Sequence, residues 1–473
     1  MKSKTIISTV FLISILFFPL HGQGGNRNVE GSWLGTLDVG AMQLRLVFNI
    51  SCPGDSLLEA TLDSPDQGAS DIPMGVVSLV ADSIRIDAPM LRAYYKGKIL
   101  SETDIHGEWN QAGRSFVLNL EKQAEKFALL RPQEPKPPYP YVEEEVYFEN
   151  EKQGFSLAGT FTYPSEGGPF PAVVLISGSG SQNRDEEIFG HKPFKVLADH
   201  LTRNGIAVLR YDDRGVGSSG GIIAGSTSED NAGDARSAVD YLLKRVEVNP
   251  SRLGLVGHSE GGMISFMLAS EYEDIEFIIA LAGPGVPGKT ILLEQSEIIN
   301  RLSGVGDSIL LDNRIVMGKT YDLMIDNESY ADWQRNMLDF TADYYAGKGA
   351  DQYSQQEIEQ IQQNLLGSIP AQAYAWMRYF VMFDPSIYLS SIRCPVLALN
   401  GEKDCQVIAE QNILPIGEIL RSSGNQAVTT IVLQGLNHLF QNCETGLPSE
   451  YGVIEETFDP NTLNIISDWI NQQ

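Results

Sequence analysis

Two rhythms of apolar and polar positions run along this chain. In the first, Leu44, Leu46, Phe48 and Ile50 alternate with Arg45, Val47 and Asn49, close to the period of two of a half-buried strand. Ile84 and Ile86 repeat the device, as do Phe116, Leu118 and Leu120. Gly31-Ser32-Trp33 and Gly107-Glu108-Trp109 read as turns that open on an aromatic strand residue. Short strands parted by Gly, Asp and Ser clusters predict a small all-β sandwich or barrel over about residues 28–130. In the second rhythm the apolar runs are continuous: 171–176, 206–209, 253–256, 277–281, 396–399 and 428–433. Such runs suit strands buried on both faces. Helical stretches lie between several of them, as at 230–245 and 259–272, and this alternation predicts a mainly parallel sheet with helices on both sides.

Between the two regions stand five prolines in nine residues, Pro132 to Pro140. Proline fixes φ and stiffens the backbone, so residues 131–140 read as a linker and 141–473 as the second domain. Between Leu281 and Val396 a long helix-rich insertion, about 286–390, carries Trp333, Met337, Tyr344, Tyr345, Trp376, Tyr379 and Phe380. An insertion at the carboxyl ends of parallel strands is placed to cap a site. Its aromatics read first as the core of the cap itself. Trp376, Tyr379 and Phe380 are the candidates for a substrate pocket.

At the other end, Lys2 and Lys4 precede an apolar run from Ile6 to Leu20, followed by small and polar residues. This is a secretory signal layout over residues 1–22, and the run is short for a bilayer-spanning helix. The chain is therefore expected to be exported to the periplasm or the extracellular space, with no membrane span after cleavage. The 34 Lys+Arg against 61 Asp+Glu give a net charge of −27, which argues against nucleic acid and anionic lipid as partners. Four cysteines in 473 residues do not make a disulfide scaffold. No Cys-x-x-Cys, His-Glu-x-x-His or phosphate-binding Gly-x-x-x-x-Gly-Lys loop occurs, so no metal or cofactor is expected.

Chemistry concentrates at Gly257-His258-Ser259-Glu260-Gly261, directly after an apolar strand and at the start of a helical stretch. That context marks a nucleophile elbow, with Ser259 as nucleophile. A serine needs a base, and only six histidines exist. His21 belongs to the signal segment, His106 to the β domain and His200 to a helix. His258 reads as shaping the elbow, and His191 keeps a small claim. His438 follows the 428–433 strand, in the loop position a base requires. The acid is sought after the strand at 396–399, where Glu402 and Asp404 occur; Asp404, deeper in the loop, is preferred. It would hold the imidazole tautomer. Oxyanion donors are expected from the Glu260 N–H and from Ser177-Gly-Ser-Gly-Ser181, with Ser179 N–H first and Gly180 second. Asp212-Asp-Arg-Gly-Val-Gly217 reads as a structural turn with an internal Arg–Asp pair.

Taken in order, Ser-Gly-Ser-Gly, Asp-Arg-Gly-Val-Gly, Gly-His-Ser-Glu-Gly, Gly-Glu-Lys-Asp and Leu-Asn-His resemble the α/β-hydrolase superfamily over about residues 141–473. Within it they look like bacterial carboxylesterases with an N-terminal β domain, often described as serine aminopeptidase-like hydrolases. The resemblance implies Ser259, Asp404 and His438 as the triad, and hydrolysis of short acyl esters without a cofactor.

A secreted carboxylesterase acting on a small-molecule ester is the leading expectation. An exopeptidase or acyl-thioester hydrolase would use the same triad, and Glu294, Glu297 or Glu328 are the acids available to a substrate ammonium group. A non-catalytic binding module is the reading from another class. Oligomeric state is not legible. Finally, Cys405 and Cys443 flank the proposed acid and base, and export favours a disulfide between them.

Overall fold

The computed structural model describes residues 29–38, 43–53, 57–125, 129–349 and 352–473. The segment expected to be a signal, residues 1–22 with His21, lies outside them. The chain divides into two compact units, residues 1–65 with 69–128, and residues 66–68 with 129–473. Among the described residues no helix is long and apolar enough to cross a membrane.

The first unit is one antiparallel sheet. Its strands are β1 (Gly31–Asp38), β2 (Gln43–Ser51), β3 (Glu59–Ser64), β4 (Ala69–Pro73), β5 (Val77–Val80), β6 (Ser83–Ala88), β7 (Ala93–Ile99), β8 (Asp104–Gln111), β9 (Arg114–Val117) and β10 (Leu120–Lys122). They run in the order β4-β3-β2-β1-β10-β8-β7-β6-β5, with β9 paired to β8. The alternation places Leu44, Leu46, Phe48, Ile50, Ile84 and Ile86 in one core with Trp33, Tyr95 and Trp109. This is a single sheet gathered about one core, where a sandwich of two sheets was the other expectation.

The second unit holds β11 (Tyr141–Asn150), β12 (Phe155–Pro164), β13 (Phe170–Ile176), β14 (Ala207–Tyr211), β15 (Val248–His258), β16 (Phe277–Leu281), β17 (Val396–Gly401) and β18 (Val428–Leu433). Their order is β11-β12-β14-β13-β15-β16-β17-β18. β11 and β12 pair antiparallel, β12 meets β14 antiparallel, and all later pairs are parallel. The helices are α1 (Pro193–Arg203), α2 (Ser228–Leu242), α3 (Glu260–Glu271), α4 (Gly288–Leu302), α5 (Asp307–Asp326), α6 (Tyr330–Ala346), α7 (Gln355–Ser368), α8 (Tyr374–Met382), α9 (Pro385–Leu389), α10 (Ala409–Ser422) and α11 (Pro460–Asn471).

Why the β13 run is continuously apolar is visible in the packing. Val174 and Ile176 join the core on one face, with Met263 and Phe266 of α3. Val173 and Leu175 join the other, with Leu197 of α1 and Ile466 of α11. Each such side chain contributes about 1.5–3 kcal/mol by leaving water, so a polar residue at any of these four positions is costly. The insertion α4 to α9 has its own core around Trp333, Met337, Tyr345 and Tyr374. The proline-rich segment is docked on this unit rather than free: Gln133 Oε1 accepts the Thr457 and Phe458 N–H groups at 2.6 and 3.0 Å. Glu134 also takes Lys192 and Lys195, each at 3.0 Å.

Candidate active site

β15 passes into α3 through Ser259, which sits at φ 53° and ψ −115°. A non-glycine residue held at positive φ costs about 1–3 kcal/mol and persists only where its surroundings fix it. Here Ser259 N–H donates to the Leu281 carbonyl at 2.8 Å, an anchor on the neighbouring strand. The flanking glycines answer to space. A Cβ on Gly257 would lie 2.0 Å from the Gly261 carbonyl oxygen, and one on Gly261 would lie 2.0 Å from that of Ile176. The helix start packs straight onto the backbone of β13 and β15, and this is what lifts the Ser259 side chain clear.

Two loops bring the acid and the imidazole together. Asp404 follows β17 and His438 follows β18; both are buried, with His438 Nδ1 2.7 Å from Asp404 Oδ2. Asp404 Oδ1 also accepts the Gln406 and Val407 N–H groups at 2.8 and 2.9 Å, so three donors orient this carboxylate. Facing an acceptor, Nδ1 carries the proton, which leaves Nε2 as the ring's acceptor nitrogen. Glu402, the other candidate acid, is exposed and accepts the Gly435 N–H at 3.0 Å.

Ser259, His438 and Ser179 line one cavity of about 310 Å³, with Ile291, Leu292, Trp376, Phe380, Val407 and Leu439 as its apolar wall. Among the described residues no hydrogen bond joins the Ser259 hydroxyl to His438, and such contacts often tighten only with substrate bound. Glu260 opens α3, where first-turn amides lack intrahelical partners. In the loop after β13, Glu186 Oε1 takes the Gly178 N–H at 2.6 Å, and Ser179 comes next on the cavity wall. Gly180 lines a neighbouring cavity of about 590 Å³ instead.

Three carboxyl groups beside the elbow, Glu186 and Glu260 buried and Asp213 half-buried, were not read from the sequence as site components. The Glu260 side chain accepts the Trp376 indole N–H at 3.0 Å on both oxygens, and burial raises its pKa. Asp213 accepts the Ser177 hydroxyl at 2.9 Å and the Gln182 N–H at 2.8 Å; burial pushes it up to about 7. Glu186 meets His258 Nδ1 at 2.9 Å. Each acid's partner is remote in the chain, and only the elbow's own spacing pointed near them. Among the described residues no group of three or more His, Cys, Asp or Glu is arranged to hold a metal.

Several expectations change. Tyr379 is not on the cavity wall: one position short of Phe380 on α8, it turns about 100° away and meets Tyr388 in a separate groove. Cys405 and Cys443 are both thiols. Their sulfurs point to different carbonyls, Gly446 at 3.0 Å for Cys405 and Gly435 at 3.4 Å for Cys443, so adjacency of the loops does not bond them. The pairing within Asp212–Gly217 is absent as well, because Asp212 binds Arg184 at 2.8 Å while Arg214 reaches Asp234 on α2 at 2.7 Å. His191 is buried away from the cavity, between Thr457 Oγ1 and the Tyr451 carbonyl at 2.8 and 3.0 Å. Glu294 and Glu297 both clamp Arg314 at 2.7 Å, and Glu328 is exposed.

The chain is similar to several known proteins. Residues 191–345 match the family described as serine aminopeptidase, S33. Esterase EstD of Thermotoga maritima is 26% identical over 385 residues, spanning 80% of this chain and 82% of that protein. A putative hydrolase of Bacillus subtilis, YtaP, is 29% identical over 130 residues, 24% of this chain and 44% of its own length. Among solved structures, an esterase of Pyrococcus furiosus, Pf2001, covers 73% of this chain and 96% of its own at 16% identity and a TM-score of 0.41. The sheet order and the strand–elbow–helix turn are those of the α/β-hydrolase fold, and over residues 191–345 the chain is similar to the serine aminopeptidase, S33, family.

Proposed function

We propose that this protein is an exported serine esterase that cleaves carboxylic esters of short to medium acyl chains through an acyl-enzyme. The observation that carries the reading is the buried Asp404–His438 pair at 2.7 Å, whose His438 lines the same cavity as the strained Ser259. The similarity to EstD, itself an esterase, supports it.

In this mechanism Ser259 Oγ attacks the ester carbonyl carbon and passes its proton to His438 Nε2. Asp404 keeps the imidazole oriented and stabilises the imidazolium. The N–H groups of Ser179 and Glu260 hold the oxyanion. Collapse breaks the ester C–O bond, and the departing alkoxide takes the proton from His438. Water, deprotonated by the same nitrogen, then attacks the acyl-serine and releases the carboxylic acid with Ser259 restored.

A second reading, aminopeptidase activity, rests on the description of the matching family. One panel separates the two: p-nitrophenyl acyl esters, acyl thioesters and aminoacyl anilides, with fluorophosphonate labelling of Ser259 as the control for a nucleophile. Turnover of the esters well above the anilides is expected. Labelled protein that cleaves only anilides overturns the esterase reading, and failure to label overturns the triad. Export is tested by the mass of the mature N-terminus from cell fractions.

A further inference from the structure

His258, the residue before Ser259, is buried, and both of its ring nitrogens face oxygen acceptors. Nδ1 lies 2.9 Å from Glu186 Oε1, and Nε2 lies 3.0 Å from the carbonyl oxygen of His438. A neutral imidazole has one N–H and one lone pair, so it satisfies only one acceptor and turns its lone pair on the other. Two acceptors call for two protons. The Glu186 oxygen that meets Nδ1 also takes the Gly178 N–H at 2.6 Å, as an ionised carboxylate does. Glu186 itself is held at φ 50°, a backbone conformation that persists where the surroundings demand it.

Through these contacts one pair touches three separate pieces of the site. Gly178 belongs to the loop that presents Ser179, His258 belongs to the elbow, and the His438 carbonyl belongs to the loop of the base. The His258 and His438 rings stand 4.8 Å apart, centroid to centroid. We propose that Glu186 and His258 form a buried carboxylate–imidazolium pair that positions the oxyanion loop, the nucleophile and the base together. The inference rests on the esterase reading above for the roles of Ser259 and His438.

Burial works against the cation, yet the Glu186 carboxylate outweighs it, aided by the His438 carbonyl and by Asp404, and His258 lies above its ordinary pKa. The charged and titratable groups facing the pair are Asp404 and His438 on the base side, and Asp213 and Glu260 on the other. Asp213 and Glu260 are pushed toward their neutral forms by burial, so they offset little of the imidazolium's charge.

Three variants and one direct measurement test this. His258→Asn keeps a donor for Glu186, His258→Gln keeps one for the His438 carbonyl, and Glu186→Gln removes the anion. All three lose the cation. The expected result is a kcat lowered about tenfold or more with little change in KM, because the pair positions the reacting groups rather than binding substrate. Folded variants with wild-type kcat, or with a loss confined to KM, overturn the proposal. For the wild-type protein, selective ¹⁵N-histidine labelling reads the His258 ring directly, assigned against the His258→Asn spectrum. Both nitrogens are expected to carry protons at pH 7.5, and a neutral tautomer there overturns the proposal even if the variants do not fold. Because that spectrum needs no turnover, it separates failure of this inference from failure of the esterase reading, which the fluorophosphonate label on Ser259 reports.

Discussion

Trp376 donates its indole N–H to both carboxylate oxygens of Glu260, at 3.0 Å each, and so ties the helical insertion to the residue next to the proposed nucleophile. The same tryptophan and Ser179 line both the 310 Å³ cavity of Ser259 and the neighbouring one of about 590 Å³. Trp376 is therefore a partition between the two spaces. Replacing it with alanine is expected to join them and to raise the octanoate-to-acetate ratio of kcat/KM by about tenfold, the worth of roughly two further buried methylenes at about 0.8 kcal/mol each. Tyr379→Ala, on the other side of α8, should leave that ratio unmoved. An unchanged ratio in Trp376→Ala would show that the indole does not limit the acyl chain.

The triad makes a sharper prediction. Ser259→Ala should keep its circular dichroism spectrum and lose all but the residual rate supplied by binding and the oxyanion donors. Asp404→Asn should lower kcat by about 10⁴-fold, because an amide at Oδ2 favours the wrong imidazole tautomer; the magnitude is that of the serine-protease precedent. Near-wild-type turnover in either folded variant contradicts the assignment.

His191 predicts acid sensitivity of the fold. Burial among Thr457, Tyr451 and Gln441 lowers its pKa from 6.5 to about 4. The unfolded chain therefore takes up a proton that the folded chain refuses as the pH falls from about 6.5 to 4, and stability is lost over that window. The expected cost between pH 7.5 and 5 is about 2 kcal/mol. Urea unfolding at the two pH values measures it, and His191→Asn should flatten the difference. Equal sensitivity in both proteins would place the effect elsewhere.

The cysteines give a prediction about redox. With Cys405 and Cys443 both thiols, thiol reductants should leave turnover unchanged, and a non-reduced digest should contain no peptide linking the two. Burial raises the pKa of Cys405 to about 12, so its alkylation should require unfolding. Rapid modification in the native state would mean that the loop after β17 opens.

How much of this was readable in advance depended on how local each constraint is. The apolar run of β13 dictates a strand buried on both faces whatever surrounds it, because every second side chain goes to one core and the rest to the other. The elbow was equally legible, since Gly257 is required by a contact of 2.0 Å with Gly261 within a single turn of chain, although Gly261 answers to the Ile176 carbonyl on β13. Asp404 and His438 emerged from their positions after two strands and from the scarcity of histidine. The sequence by itself thus determined the two-domain division, the α/β-hydrolase core and the candidate triad. Only the tertiary structure decided which neighbours those residues meet. The Glu260–Trp376 bond spans 116 residues and the Glu186–His258 pair 72, and no periodicity encodes a contact at such separations. The same holds for Cys405 and Cys443, whose loops converge while their sulfurs turn to different carbonyls: proximity follows from strand order, but a side chain's direction follows from the packing around it.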